Sequence, residues 1–329
     1  MQTGAMATTL LFDRSGSSEV VDFASCARKI SNRTVLWVDL PSPTDIELSM
    51  VRETFGLELD ASALKSGERE SQVRLHDDFV HVTVLLPPDE GAKSARNAHA
   101  LDCYVGRNWL VTVSDGRQDI VEQFRELATG AGQIGSLDAM SFLATLLELV
   151  IVGYSEAFQG VEEALEEFDA KVLSSTDRDI ESKVSELVRA RRRVSLLRRT
   201  LAPHRRVFVT LSHTELDAVS TDVSGERFTQ LSDHVGEALN GARDAREAVV
   251  NSFDMLILRT EHRTNEIVKV LTLTSILFLP GALIAGIMGM NINLTGGDFV
   301  SSDLFWGTLA VMAVIVLGTL AFARLRRWI

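Results

Sequence analysis

Cysteine is scarce in the 329-residue sequence: Cys26 and Cys103 stand far apart and form no CxxC pair. That argues against a disulfide or zinc framework and fits reduced thiols in a cytosolic domain. No GxxxxGK[ST] loop is present to cradle phosphates, so ATP is not expected as an energy source. No two of the seven histidines stand four apart on a helical pattern, and none joins a cysteine at ligand spacing, so no structural zinc site is expected. No nucleophile is matched to a base, which excludes an enzyme of the usual covalent kinds. A basic stretch followed by an apolar one is missing near Met1, so no signal peptide is expected. The net charge of -12 makes nucleic acid an unsuitable partner and cations suitable ones.

What the sequence does have is two long uncharged runs near its end, Val270 to Asn291 and Leu304 to Ala323. Each has about 20 residues and so spans roughly 30 Å as a helix. Arg259, Arg263 and Lys269 precede the first, and Arg324, Arg326 and Arg327 follow the second, whereas the loop between them has no Lys or Arg. The pattern predicts a two-span protein of the inner or plasma membrane with both termini cytoplasmic. The loop acids Asp298 and Asp303 then form an acidic outer mouth that an incoming cation would meet.

About 265 residues precede the first span, enough for a sizeable soluble core. Residues 1–118 read as an α/β cytosolic domain. Strands are expected at Thr34–Leu40, Gln72–Leu75, Phe79–Leu86, Ala100–Val105 and Trp109–Val113, the last two joined by a turn at Gly106-Arg107-Asn108. A helix after Pro43 should carry Ile46, Met50, Val51 and Phe55 on one side, and Val80, Val82, Val84 and Leu86 should form one buried sheet face opposite His81 and Thr83. Residues 119–225 read as a cytosolic helical region. Apolar residues recur at steps of three and four from Leu143 to Val172, then from Ile180 through Val184, Leu187 and Val194 to Leu201. Residues 226–291 read as a stalk helix running without a break into the first span, placed at about 270–288, since no Pro lies between Glu226 and Val270 and Gly236 and Gly241 are isolated. Residues 292–303 are the extracytoplasmic loop, and 304–329 the second membrane helix with a basic cytosolic tail. Acidic residues from Glu162 to Asp169 and arginines from Arg189 to Arg206 are expected to face each other or water.

One stripe of the long helix has the features of a pore. Gly286, Ala282, Leu279, Ser275, Leu271, Val268, Asn265, Glu261, Leu258 and Asp254 follow one another at steps of three or four. The stripe is small or apolar within the membrane and polar below it. Gly289-Met290-Asn291 closes it, and two readings are open: the Asn caps a helix end, or its carbonyl oxygen holds a hydrated ion through its waters. A single Asn cannot enclose an ion, so the second reading needs several copies around an axis.

The segment Asn265 to Asn291, with NEIVKVLT, Pro280, AGI at 285–287 and GMN at 289–291, resembles the pore helix of the CorA family of divalent metal ion transporters. WVDLPSPT at 37–44, WLVTVSD at 109–115, VEEALEEFDAKVL at 161–173, LRRTLAPHRRV at 197–207 and a basic end with Trp328 follow in the family's order. The resemblance implies an α/β cytosolic domain, long coiled helices and a two-helix transmembrane hairpin in a funnel-shaped homo-oligomer, a pentamer, embedded in the lipid bilayer. It implies passive influx of Mg2+, with Co2+ and Ni2+ also carried, a filter of Gly289, Met290 and Asn291, and no bound cofactor beyond the transported or regulatory cation. It further implies closure by cytosolic cation at acidic sites, for which Asp254, Glu261, Asp77 and Asp78 are the candidates. Two departures point elsewhere. The loop INLTGGDFVSSD is similar to that of the zinc-transporting ZntB branch, and Ala282 stands where many members carry a polar Thr. Zn2+ transport coupled to protons is therefore the alternative, with His262 below the span as its candidate relay. A non-conducting scaffold or sensor with the same fold is the third reading.

Overall fold

The computed structural model describes residues 7–13, 18–22, 34–57, 69–92, 94, 98–115, 119–130, 138–174, 179–213, 222–289 and 302–325. The chain divides into two compact units, Met1–Phe253 and Asp254–Ile329. The first contains strands β1 (Thr8–Asp13), β2 (Ser18–Val20), β3 (Thr34–Pro41), β4 (Gln72–Leu75), β5 (Val80–Leu85), β6 (Ala100–Val105) and β7 (Trp109–Ser114). It also contains helices α1 (Asp45–Phe55), α2 (Asp119–Gly130), α3 (Ala139–Ser174), α4 (Ile180–Leu201), α5 (His204–Ser212) and the start of α6 (Asp222–Gly289). The rest of α6 and α7 (Ser302–Leu325) form the second unit.

The strands make one mixed sheet in the order β2-β1-β3-β7-β6-β5-β4, parallel between β3 and β7 and antiparallel elsewhere. Five strands lie where alternation and β-branched residues place them, while β1 and β2 were not singled out by pattern. In β3 the two-residue period sorts side chains cleanly. Leu36, Val38 and Leu40 join Leu48 and Val51 of α1 in one core cluster with Val111 and Val113. Trp37 points to the other face, its ring 5.0 Å from Phe124 of α2 and 6.0 Å from Phe142 of α3. Helices thus cover both faces.

That double cover corrects the expectation for β5. Val80, Val82 and Val84 are buried as expected, but Thr83 and Leu85 are buried too, at 2% and 4% exposure. The polar groups on this second face bind one another. Thr83 Oγ1 donates to Asp102 Oδ1 at 2.7 Å, His81 Nε2 lies 3.0 Å from the same oxygen, and the Arg69 guanidinium pairs with Asp102 Oδ2. Burial alone would raise the Asp102 pKa, but the His81, Arg69 and Thr83 contacts outweigh it and hold the carboxyl below its ordinary value. Next to it, Cys103 is fully buried, and burial, then Asp102 and Asp39, push its thiol pKa well up.

Helix α1 begins at a capping box, with Thr44 and Glu47 satisfying each other's backbone N–H groups, and ends at Gly56, whose φ of 69° is left-handed. Its buried residues are Leu48 and Val51, whereas Ile46, expected inside, is 74% exposed. Ile46 is two positions from Leu48, about 200° around the helix, and so faces away from the sheet. In α3 the expected stripe is buried throughout, from Leu143 to Val172. This helix is long and apolar enough to cross a membrane, but 56% of its apolar window is buried in the chain, which makes it a core helix. In α4, Leu187, Val194, Leu197 and Leu201 are buried but Ile180 and Val184 are 41% and 37% exposed. The stripe reaches them, yet no described residue covers that end of the α3–α4 hairpin. The first part of α6 buries Phe228, Leu231, Val235, Ala242, Ala245 and Val249, and neither Gly236 nor Gly241 interrupts it. Arg227 of α6 donates to the Ser141 carbonyl of α3 at 2.9 Å, and Ser252 to Asp169 at 3.1 Å.

His204 at the head of α5 is fully buried, with Nδ1 3.0 Å from the Leu201 carbonyl and Nε2 3.1 Å from the Leu85 carbonyl. Burial lowers its pKa to about 4, and backbone hydrogen bonds of Leu201, Leu85 and Thr200 offset this only in part. A folded-state pKa below the unfolded value means the unfolded chain binds the extra proton. The stability held by the neutral ring is therefore complete above about pH 6.5 and falls as pH drops toward 4, by about 3 kcal/mol at most. Urea unfolding of the first unit within the purified chain, followed between pH 7.5 and 4.5, should show this loss, and His204→Gln should flatten it.

Candidate functional site

The residues singled out for transport lie mainly on α6. A 68-residue helix is intrinsically possible here because no glycine pair or early proline breaks the ladder. Its C-terminal part carries an apolar window long enough to cross a membrane and 0% buried within the chain. The 24-residue α7 carries a second apolar stretch, Leu309–Thr319. Its Trp306, Leu309, Val311, Val314 and Leu317 are exposed, as are Phe278, Leu279 and Leu283 of α6. Rows of exposed large apolar side chains on adjacent helices match a lipid or partner environment and not water.

The stripe from Asp254 to Gly286 forms a continuous helical line, and all ten of its residues are exposed. Leu271 and Leu279 are 64% and 72% exposed. Thr272 and Thr274, beside the stripe, donate to the Val268 and Val270 carbonyls at 2.7 and 2.9 Å. Their hydroxyls therefore offer outward only acceptor lone pairs. Ser275 has no side-chain hydrogen-bond partner among the described residues, which leaves its hydroxyl available on the stripe. Gly289 is the last residue of α6. Met290, Asn291 and Asp298 lie outside the described residues, and Asp303 is in the first turn of α7.

The candidate regulatory acids divide between the two units. Asp77 and Asp78 are exposed in the turn between β4 and β5, which His76 N–H closes onto the Phe79 carbonyl at 3.0 Å. They belong to the first unit, while Asp254 and Glu261, exposed on α6, belong to the second. Among the described residues no three His, Cys, Asp or Glu side chains are grouped to hold a metal ion. Nor do the acids of α3 pair with the arginines of α4: Asp169 accepts from Ser252 of α6, and Arg193 donates to the Pro88 and Asp89 carbonyls.

Two further features of α6 concern the helix itself. Pro280 has no N–H, so the Ile276 carbonyl lacks its helical donor, yet α6 continues to Gly289. At Gly281 an added Cβ would lie 3.8 Å from Met312 Cε of α7, so the two apolar helices approach one another at this glycine. The signal for it is a small residue facing an apolar helix, the usual means of close helix packing in lipid. Gly281→Ala should be accepted, with any gain from helix propensity under about 1 kcal/mol. Gly281→Leu should displace Met312 and lower the melting temperature of the detergent-solubilised protein.

Residues 32–326 match the family described as CorA-like Mg2+ transporter protein. Over 299 residues the chain is 25% identical to the cobalt/magnesium transport protein CorA of Methanocaldococcus jannaschii, covering 90% of this chain and 92% of that protein. It is 27% identical over 194 residues to the zinc transport protein ZntB of Pectobacterium carotovorum subsp. carotovorum, covering 57% of this chain and 55% of that one. The solved structure of the complete CorA magnesium transporter from M. jannaschii superposes with a TM-score of 0.78 at 22% identity, covering 100% of both chains.

Proposed function

The chain belongs to the CorA family, whose members transport divalent metal ions and are not enzymes, and from that premise we propose that it is a passive Mg2+ influx channel formed by several copies of itself. The observation that carries this reading is the uninterrupted α6, which presents small and apolar residues along its membrane part and acids at Glu261 and Asp254 below. Copies arranged about an axis, five by the family resemblance, place Asn291 in an outer ring. Mg2+ sheds its water reluctantly, so a ring of carbonyl oxygens can hold the hydrated ion through its waters and release it. Leu279, Leu271 and Val268 then make a hydrophobic throat that closes when dry, and Ser275 supplies the one free hydroxyl ring within it. No nucleotide is required: a divalent ion moving inward through 100 mV gains about 4.6 kcal/mol, twice the value for a single charge. Both termini are cytoplasmic in this reading. Cation binding between copies, at Asp254, Glu261, Asp77 or Asp78, closes the channel.

The second reading is proton-coupled Zn2+ transport, supported by the Gly-containing loop and by relatives named as zinc transport proteins. Proteoliposomes loaded with an ion-sensitive dye separate the two. Mg2+ entry unaffected by a pH gradient supports the first, and Zn2+ entry accelerated by protons supports the second. Flux of neither ion into correctly inserted protein would leave the scaffold or sensor. In the same assay Asn291→Ala should reduce Mg2+ entry to the background of empty liposomes while the assembled species keeps its mass on native mass spectrometry. Retained entry in that variant would contradict the role of Asn291.

A further inference from the structure

Within the first unit, α3 and the start of α6 enclose a cleft of about 900 Å3. Ile151, Phe158 and Ala238 contribute its apolar surface, and seven carboxylates line it, among them Glu156, Glu163, Glu166 and Asp244. The one basic group among its lining residues is His234, 4.0 Å from Glu148. Crowding is felt: burial, then Asp244 and Glu166, raise the pKa of Glu162. The cleft is also not simply a wet charged surface, since Val152 on its wall is 45% exposed.

The same chain carries the opposite surface. Arg191, Arg192, Arg198 and Arg199 of α4 and Arg205 and Arg206 of α5 are all exposed. None of these guanidinium groups makes a hydrogen bond or ion pair with a described residue. α3 and α4 are neighbours in the hairpin, yet their charges do not meet. An acidic cleft with apolar surface suits arginine in particular. Its planar fork pairs with carboxylates in two parallel hydrogen bonds, and its stem covers apolar atoms. A hydrated metal ion would neutralise the carboxylates but leave Val152 against water.

We propose that the acidic cleft between α3 and α6 receives the arginine face of α4 and α5 from a second copy of this chain. The two patches differ, so the contact is head-to-tail, and repeated contacts of that kind close into a ring when the rotation allows. The pairing rests on the self-association reading above and gives it a contact in the soluble unit. Charge also favours the head-to-tail order, because a copy turned to present the same patch as its neighbour would set acid against acid or arginine against arginine.

The test uses the full-length chain, with Cys26 and Cys103 replaced by alanine, co-expressed with two tags. One form carries Gln159→Cys in the cleft, the other Ser195→Cys on the arginine face. Mild oxidation in the membrane should give the mixed disulfide in excess over either like-with-like product. Glu163→Lys with Glu166→Lys, or Arg198→Glu with Arg199→Glu, should each lower the mixed product several-fold, and combining the two sets should restore it, which separates lost pairing from lost folding. Native mass spectrometry of the same samples reports assembly independently. An assembled protein with no mixed product overturns the pairing while leaving self-association intact. A monomer overturns self-association and the pairing with it.

Discussion

A backbone inside a bilayer must satisfy its own N–H and C=O groups, because no water is available to do it. α6 meets that demand from Asp222 to Gly289 with one internal gap, the Ile276 carbonyl opposite Pro280. The side chains follow the same logic. Thr272, Thr274 and, on α7, Thr319 turn their hydroxyl hydrogens back onto carbonyls four residues earlier, which removes polar donors from the helix exterior. Polarity on the outside of α6 is thereby restricted to a few positions, and the stripe holding Ser275 is one of them. The same rule makes Gly281 useful: with no side chain, it lets α7 approach where Met312 supplies the filling.

In the sheet the constraint is the cost of burying charge, and two carboxylates meet it with opposite results. Asp102, 1% exposed, has His81, Arg69 and Thr83 as hydrogen-bonding neighbours and stays below its ordinary pKa. Asp39, equally buried, is raised, because burial outweighs the hydrogen bond from Thr112 Oγ1 at 2.7 Å and a single Arg125 at 3.3 Å. Arg125 is itself shared with Glu122 at 2.6 Å. Thr112 accepts from Trp37 Nε1 at 3.1 Å while donating to Asp39, so one hydroxyl links the aromatic cluster under α2 and α3 to the carboxylate. Buried polar groups that satisfy each other in this way restrict how β3, β7 and α2 can pack.

Much of this was readable in the residues, and the exceptions have physical causes. The long stripes of α3 and the start of α6 repeat for many turns, so their buried faces followed from spacing. Ile46 misled because an 11-residue helix has too few turns for its apolar residues to define one face. Thr83 misled because a β-strand shows which side chains alternate but not whether a second layer covers the polar ones. Ile180 and Val184 continue a genuine stripe to a hairpin end that nothing in the described chain covers. In the candidate pathway, the presence of two apolar helices near the end of the chain was legible from charge and spacing. The commitment of Thr272 and Thr274 to the backbone was not, since only three-dimensional geometry distinguishes a hydroxyl turned inward from one turned out. The acidic cleft was also hidden, because Glu148 to Glu166 and His234 to Asp244 are distant in sequence and come together only when α3 packs against α6.

The sheet's outermost described strands are its shortest. β2 has three residues, with Glu19 and Val20 exposed, and β4 has four, with Arg74 and Leu75 exposed. Unpaired strand edges invite pairing with identical edges on other molecules, and short, charged edges resist it. For a protein whose copies are held at high local concentration by a shared membrane, that resistance governs aggregation. It keeps neighbouring sheets from zipping into an open fibre while leaving helical surfaces free to determine which copies associate.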